Sequence, residues 1–154
     1  MVFFDSIMPN FQQLIELLSL FAFAFGAATL LPLSSEVAVA TAIKAGSAPV
    51  PMVVAAASIG NVAGSCVNWW LGREARRFEG RPWFPFSRAD LETASAKFAR
   101  YGQATLLLAW LPIVGDPLTF VAGALRIPFQ RFLILVALGK VVRYAILASA
   151  VTGF

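Results

Sequence analysis

The sequence predicts an all-α integral membrane protein of one domain, 1–154, and three observations support this fold class. Hydrophobic residues make up 59% of the chain and charged residues only 13%, whereas soluble domains are about 25% charged. Four apolar stretches, near 11–31, 50–71, 104–125 and 129–154, have about the 20 residues that cross a bilayer as a helix. The last two contain prolines, glycines or charges far from their ends, which predicts broken helices and polar groups at membrane depth.

The composition also excludes several function classes. The chain has no histidine, the commonest metal ligand and usual proton shuttle at neutral pH, so no metal site is predicted. Cys66 is the only cysteine, so an internal disulfide is impossible. No nucleophile–base set or phosphate loop is present, and a hydrolase site at Ser34 and Ser35 would lack an oriented base. We therefore expect no catalysis, no cofactor and no nucleic-acid partner.

The segment 73–102 between the second and third stretches is a basic linker. It holds seven of the twelve basic residues and is predicted to be cytoplasmic by the positive-inside rule. Ser87 is a predicted N-cap, and apolar residues at three- and four-residue spacing then predict an amphipathic helix that ends at Gly102. This helix lies either on anionic lipid headgroups or against its own protein, and the sequence leaves both readings open.

Two similar strings predict an internal repeat, with halves at about 11–72 and 103–154. Residues 31–36 and 111–116 both read Leu-Pro-x-x-x-acid, ending in Glu36 and Asp116. Each acid is followed by about ten mostly apolar residues that contain Ala-Gly and a basic residue, and then by a proline. Eleven residues after that proline stands Gly60 in one half and Gly139 in the other.

The segments that follow the two acids are too short to cross a bilayer. About eleven helical residues span about 16 Å, half the hydrocarbon thickness. Each acid is therefore predicted at the tip of a re-entrant helical hairpin, followed by one transmembrane helix. The predicted hairpin breaks are Pro32, Pro112, Gly115 and Pro117. With a cytoplasmic linker the two repeats are inverted, an arrangement that recurs in secondary transporters. A complete first span over 11–31, with a short re-entrant return, is the open alternative.

Four charged residues are predicted to share a polar pocket inside the membrane. An ionised carboxylate at mid-depth costs at least about 2.5–3.5 kcal/mol, so Glu36 and Asp116 should face a cavity, pair, or stay protonated. Lys140 and Arg143 are three residues apart on one helix face and are the available partners. We expect these four residues, with Ser34 and Ser35, to form a transport pocket with protons as a candidate partner. The alternative is a salt-bridged structural core.

Other residues are predicted to line this interior or to allow close packing. Gly60 and Gly64 are spaced for close helix contact. Asn61 and Asn68 are seven residues apart on one helix face, and Trp110 immediately precedes the second proline motif. A homo-oligomer is compatible with the sequence, which does not specify one.

The two halves resemble a known membrane family. The string 31–36 and the glycines that follow it resemble the first half of the DedA family, whose domain is also called the VTT or SNARE-associated domain. The string 98–102 leading to 110–116 is similar to its short YqaA-type branch, and the resemblance covers about residues 20–150. The glycines that carry the first part are Gly60, Gly64 and Gly72.

The resemblance implies a location in the bacterial inner membrane, two opposed re-entrant hairpins, and lipid handling. In the family this means translocation of undecaprenyl phosphate or other polar lipids, with links to membrane homeostasis and the proton gradient, and Glu36 matches the first-hairpin acid. The better-studied branch has arginines on both sides of the second-hairpin proline. Here Trp110 stands at the first of these positions and Gly115 or Asp116 at the second, so recognition of a phosphate by that arginine pair does not transfer. Lys140 and Arg143 are our candidate replacements.

These observations predict a transporter of a polar lipid or small solute. Two alternatives remain open at this point. One is a structural protein of membrane homeostasis whose charges only stabilise packing, and the other is a proton-coupled exporter of small solutes.

Overall fold

The computed structural model describes residues 11–29, 34–75, 77, 88–111 and 115–153, and the regular elements in these ranges are helical. The side chains of several residues within 88–103 lie outside this description, as do Pro32 and Pro112. The elements in chain order are α1 Phe11–Ala28, α2 Ser35–Ala45, α3 Val50–Ala75, α4 Arg88–Tyr101, a 3₁₀ helix Gln103–Trp110, α5 Gly115–Ala124 and α6 Phe129–Thr152.

Three of these helices are long and apolar enough to cross a membrane. α1, α3 and α6 have 18, 26 and 24 residues, or about 27, 39 and 36 Å at the helical rise. The predicted all-α membrane class is therefore confirmed. At about 27 Å, α1 reaches nearly the thickness of a hydrocarbon core.

The short helices begin and end where the sequence changes character. α2 follows Ser34 and ends at Gly46, whose φ is +65°. α4 ends before Gly102, as predicted, and the φ of +69° there suits a residue without a Cβ atom. α5 ends at Ala124, and Arg126, two residues later, adopts φ +55° although it is not a glycine.

The predicted breaks at Gly115 and Pro117 are wrong, because both residues belong to the first turn of α5. A proline is tolerated there since the first N–H groups of a helix have no partner within it. The Gly115 N–H donates to Leu111 O at 2.9 Å, and residues 112–114 lie outside the described residues.

Helix directions follow from the closest backbone contacts. Cβ atoms added at Gly60 and Gly64 would lie 2.3 Å from Phe21 O and 2.5 Å from Phe25 O, so α1 and α3 run parallel. A Cβ at Gly139 would lie 2.8 Å from Leu107 O, where the 3₁₀ helix packs on α6. α3 and α6 run antiparallel, since Lys140 bonds to Asn61 while Phe132, earlier in α6, packs near Trp69, later in α3.

Two apolar clusters are separated along α3 and α6 by polar residues. Val53 and Ala57 of α3 join the first cluster, and Trp69 joins the second. Between them along α3 lie buried polar residues, and α6 has its charged residues at the corresponding level. The buried polar residues of the described ranges are Ser35, Ser58, Asn61, Ser65, Asn68, Thr119 and Lys140. The fold therefore places a polar layer in the middle of an otherwise apolar molecule.

α4 packs partly against its own protein. Phe98 lies against the second cluster, whereas Tyr101 is 60% exposed. The position of Phe98 supports the reading in which α4 packs on its own protein. The exposed side chain of Tyr101 is compatible with contact to lipid headgroups.

Candidate functional site

The first ion pair of the polar layer joins Glu36 to Arg143. Arg143 places NH2 2.7 Å and Nε 3.1 Å from Glu36 Oε1. Its NH1 donates to Trp110 O at 2.9 Å, at the end of the 3₁₀ helix. Arg143 therefore links α2 to the 3₁₀ helix through a single planar group, and Ser34 Oγ adds a weak bond of 3.4 Å to Glu36 Oε2.

The second ion pair joins Asp116 to Lys140. Lys140 Nζ lies 3.7 Å from Asp116 Oδ1, a long separation for an ion pair. The same ammonium donates to Asn61 O at 3.3 Å and makes a short bond to Asn61 Oδ1. The Lys140 side chain is only 2% exposed, against 28% for Asp116. Asn61 therefore satisfies much of the buried charge that Asp116 only approaches.

Two helix N-termini point at these charges. Glu36 lies in the first turn of α2 and Asp116 in the first turn of α5. A helix N-terminus has free N–H groups and a partial positive charge, which stabilises a carboxylate there. Two helix ends, one guanidinium and one ammonium thus surround two carboxylates, and any anion that displaced a carboxylate would meet the same donors.

A hydrogen bond anchors the tip of α2 to α6. Ser35 Oγ lies 2.7 Å from the hydroxyl of Tyr144, which is fully buried. Because Tyr144 follows Arg143 in α6, this bond fixes Glu36 next to its partner. Sequence reasoning missed Tyr144, although its position directly after the charged Arg143 in an apolar helix was a signal.

Further polar groups continue the layer along α3. Asn61 Nδ2 donates to Ala24 O at 3.1 Å, and Asn68 Nδ2 donates to Ala28 O at 2.7 Å. Asn68 Nδ2 also lies 3.4 Å from Thr119 Oγ1, whose hydroxyl donates to Asp116 O at 2.7 Å. Thr119 was not predicted, though it stands three residues after Asp116 and thus on the same helix face.

The remaining predicted residues fall into three groups. Gly60 and Gly64 pack against the α1 backbone and touch none of the charges. Trp110 contributes its backbone carbonyl, while its side chain is 39% exposed. Pro32 and Pro112 lie outside the described residues. Within the described ranges, no group of three or more acidic, cysteine or histidine side chains is placed to hold a metal ion.

Each cation of this arrangement has a second acceptor besides its carboxylate. Arg143 is shared between a carboxylate and a carbonyl, and Lys140 between a carboxylate and an amide. An anionic group could replace one carboxylate without leaving either cation unpaired, which would otherwise be costly at this burial.

Comparisons with known proteins agree with this picture of a membrane chain. Residues 31–153 match the family model of the VTT domain. The chain is 37% identical over 141 residues to the inner membrane protein YqaA of Escherichia coli (strain K12), covering 90% of this chain and 93% of that protein. The YqaA of Shigella flexneri gives the same identity and coverage. An uncharacterized protein of Haemophilus influenzae is 35% identical over 161 residues, covering 98% of this chain and 97% of its own. No solved structure matches the chain.

Proposed function

The chain belongs to the VTT domain family, and from this premise we propose that it translocates a polar lipid or a small solute across the bacterial inner membrane. Its relatives from Escherichia coli and Shigella flexneri are named as inner membrane proteins. Three apolar helices of sufficient length support the same location. The proposed cargo is a lipid with an anionic headgroup, of which undecaprenyl phosphate is one candidate.

The proposed architecture is a pair of inverted repeats, each with a re-entrant short helix. The positions Glu36 and Asp116 are 80 residues apart, and so are Gly46 and Arg126, which adopt positive φ shortly after the ends of α2 and α5. Each long helix packs through one glycine, Gly60 or Gly139, on the arm that precedes it in its own half. The antiparallel course of α3 and α6 supports opposite orientations of the two halves.

Asn61 and Lys140, which directly follow Gly60 and Gly139, bond to each other across the two halves. Contact between equivalent positions on antiparallel helices is the expected signature of a pseudo-twofold axis in the membrane plane. The polar layer would then lie near mid-depth, and the linker 73–102 would be cytoplasmic.

The observation that carries the transport proposal is the pairing of two acids at helix N-termini with two cations one turn apart on α6. Buried ionisable groups in a membrane protein are costly and commonly mark a substrate or ion pathway. In the proposed cycle an anionic headgroup competes with Glu36 for Arg143, and the displaced carboxylate takes up a proton. Deeper in the layer Lys140 would hold the same headgroup, and Asp116, displaced from the ammonium, would take up a proton as Glu36 does.

The test is lipid movement by purified protein reconstituted into vesicles. We expect Glu36→Gln and Asp116→Asn each to lower the rate of transfer of a labelled anionic lipid at least about tenfold, the effect of losing about 1.4 kcal/mol of transition-state stabilisation. Glu74→Gln is the matched control, because Glu74 makes an exposed ion pair with Arg77 far from the polar layer. Wild-type rates in both site variants would refute the proposed roles.

A structural role is the second candidate, and the completeness of the network favours it. Lys140 and Arg143 each have protein acceptors in place. If the charges only stabilise packing, the double neutralisation Glu36→Gln with Arg143→Gln should retain full biological function. Under the transport proposal it abolishes lipid movement in vesicles.

A further inference from the structure

One face of α3 carries four buried polar side chains in a row. Ser58, Asn61, Ser65 and Asn68 follow at spacings of three, four and three residues, and each is at most 4% exposed. Asn61 contacts Lys140, so Ser58 lies on one side of the central charges and the row continues on the other side for about 10 Å toward the C-terminal end of α3. The Glu36–Arg143 pair lies on the other side of Lys140, because α6 runs antiparallel to α3.

Hydrogen bonds connect the last three residues of this row into a nearly closed ring with the second ion pair. Asn61 O accepts from Lys140 Nζ at 3.3 Å and from Ser65 Oγ at 3.1 Å. On the opposite side, Asp116 O accepts from Thr119 Oγ1, and Asn68 Nδ2 reaches the same hydroxyl. Lys140 and Asp116 join the two sides. The ring is open at one point, between Ser65 and Asn68.

At that opening stands a buried acceptor without a donor. Asn68 Oδ1 makes no hydrogen bond to any group in the described part of the chain. The Asn68 amide nitrogen is occupied by Ala28 O at 2.7 Å, so the side chain is held and its oxygen is oriented. A buried amide oxygen with no donor is rare in proteins, and ordered water is the usual partner.

We propose that an internal water molecule binds between Asn68 and Ser65 and closes the ring. One water hydrogen donates to Asn68 Oδ1, and the other can donate to Ser65 Oγ, whose own hydrogen is used on Asn61 O. Residues three apart on a helix have Cβ atoms about 5–6 Å apart, a separation that a single water can bridge. The site requires no other ligand and does not depend on the transport proposal.

The consequence is that a bound water lies in the polar layer on the side of the central ion pair opposite Glu36. The water lies on the α3 side of Asp116 and Lys140, in the direction of Arg73. The polar layer is therefore hydrated beyond the described charges, and Asn68 is the residue that holds this water.

Water-edited solid-state NMR of the wild-type protein in bilayers tests the site. Asn68 is preceded by Val67, and no other Val–Asn pair occurs in the chain, so labelling valine carbonyl carbon and asparagine nitrogen identifies it without a variant. The matched control is the methyl carbon of Ala57, which is also fully buried on α3 but lies in an apolar cluster. We expect the Asn68 side-chain carbonyl to receive water magnetisation several times faster than the Ala57 methyl.

Two results would overturn the inference. Equally slow transfer to Asn68 and Ala57 would mean that the site is dry. A change in the Asn68 signals when sodium is exchanged for choline, without fast transfer from water, would mean that a cation and not a water is the ligand.

Discussion

At the scale of single residues, the most demanding group in the molecule is the ammonium of Lys140. Its side chain is 2% exposed, and its acceptors are Asn61 and the more distant Asp116. A buried charge that loses its partner costs about 3–5 kcal/mol, whereas a partly hydrated one costs less. Lys140 and Asp116 therefore differ in solvation, because Asp116 keeps 28% of its side-chain surface exposed.

This inequality gives a stability prediction. Asp116→Asn should lower the stability of the protein more than Lys140→Met, since the first leaves a buried ammonium underpaired and the second leaves a carboxylate that water can reach. We expect a loss of about 2–3 kcal/mol for Asp116→Asn, measured by thermal unfolding in detergent, below the full cost because Asn61 remains. A larger loss for Lys140→Met would show that Asp116 is the less solvated partner.

The sequence was sufficient to propose the four charges as neighbours but not their individual partners. Spacing places Lys140 and Arg143 on one face, and the repeat relates Glu36 to Asp116. Which carboxylate meets which cation depends on the rotation of α2 and α5 about their axes, which no pattern in such short apolar helices specifies. Tyr144 and Thr119 had only a positional signal, since each lies close in sequence to a charged residue of the site. Ser65 had none, because a hydroxyl in an apolar helix gives no sequence sign that distinguishes an interhelical bond from a bond to its own backbone.

At the scale of elements, glycines determine how closely the helices approach. A Cβ at Gly123 would lie 1.8 Å from Trp69 O, and one at Gly72 would lie 1.9 Å from Phe120 O. These two contacts hold α5 against α3 and thereby fix the helix that bears Asp116. In a membrane, where the hydrophobic effect does not drive helices together, such close backbone contact is a main source of association.

Gly123→Ala should therefore disrupt the α3–α5 contact. The added methyl meets backbone that has no room to move, and we expect a loss of about 2 kcal/mol or more, within the range for overpacked cores. Gly26→Ala in α1 is the matched control, because a Cβ added there would have nothing within 4 Å and alanine favours the helix by about 1 kcal/mol. Thermal unfolding of both variants in detergent checks this, and equal stabilities would contradict the close contact.

Element boundaries were predictable where local chemistry dictates them. Gly102 ends α4 and Gly46 ends α2, both with positive φ. The type of the element at Gln103–Trp110 was not predictable, because an eight-residue 3₁₀ helix is unusual and Gly115 and Gly139, distant in sequence, contact its backbone. Pro117 was misread as a break for a related reason: a proline marks a helix boundary but does not say on which side the helix lies.

At the scale of the whole molecule, a polar layer lies between two apolar clusters. Each cluster contains residues from the first half of α3 or of α6, together with one aromatic residue from the other of these two helices. Tyr144 of α6 joins the cluster of α1 and α2, and Trp69 of α3 joins the cluster of the 3₁₀ helix and α5. The family resemblance in the sequence is confirmed by the VTT domain match. The inverted arrangement of the two halves stays a prediction.

Cysteine labelling in intact cells tests that arrangement. In a Cys66→Ala background, Ser47→Cys after α2 should react with an impermeant thiol reagent from the periplasmic side. Gln130→Cys at the start of α6 should react only after the cytoplasmic side is opened, because the two short helices enter from opposite faces. Labelling of both positions from one side would exclude the inverted repeat, and the unmodified Cys66→Ala protein is the background control.

The measurement that tests the central claim most directly is lipid movement by a charge-swapped protein, Asp116→Lys with Lys140→Asp, in reconstituted vesicles. The swap keeps the number of charges and allows the pair to re-form, so thermal unfolding should show a folded protein. We predict that transfer of a labelled anionic lipid falls to the rate of protein-free vesicles, because the cation then stands at the α5 N-terminus and the carboxylate faces Asn61. A folded, charge-swapped protein that moves lipid at the wild-type rate would contradict the claim that these charges form a transport site.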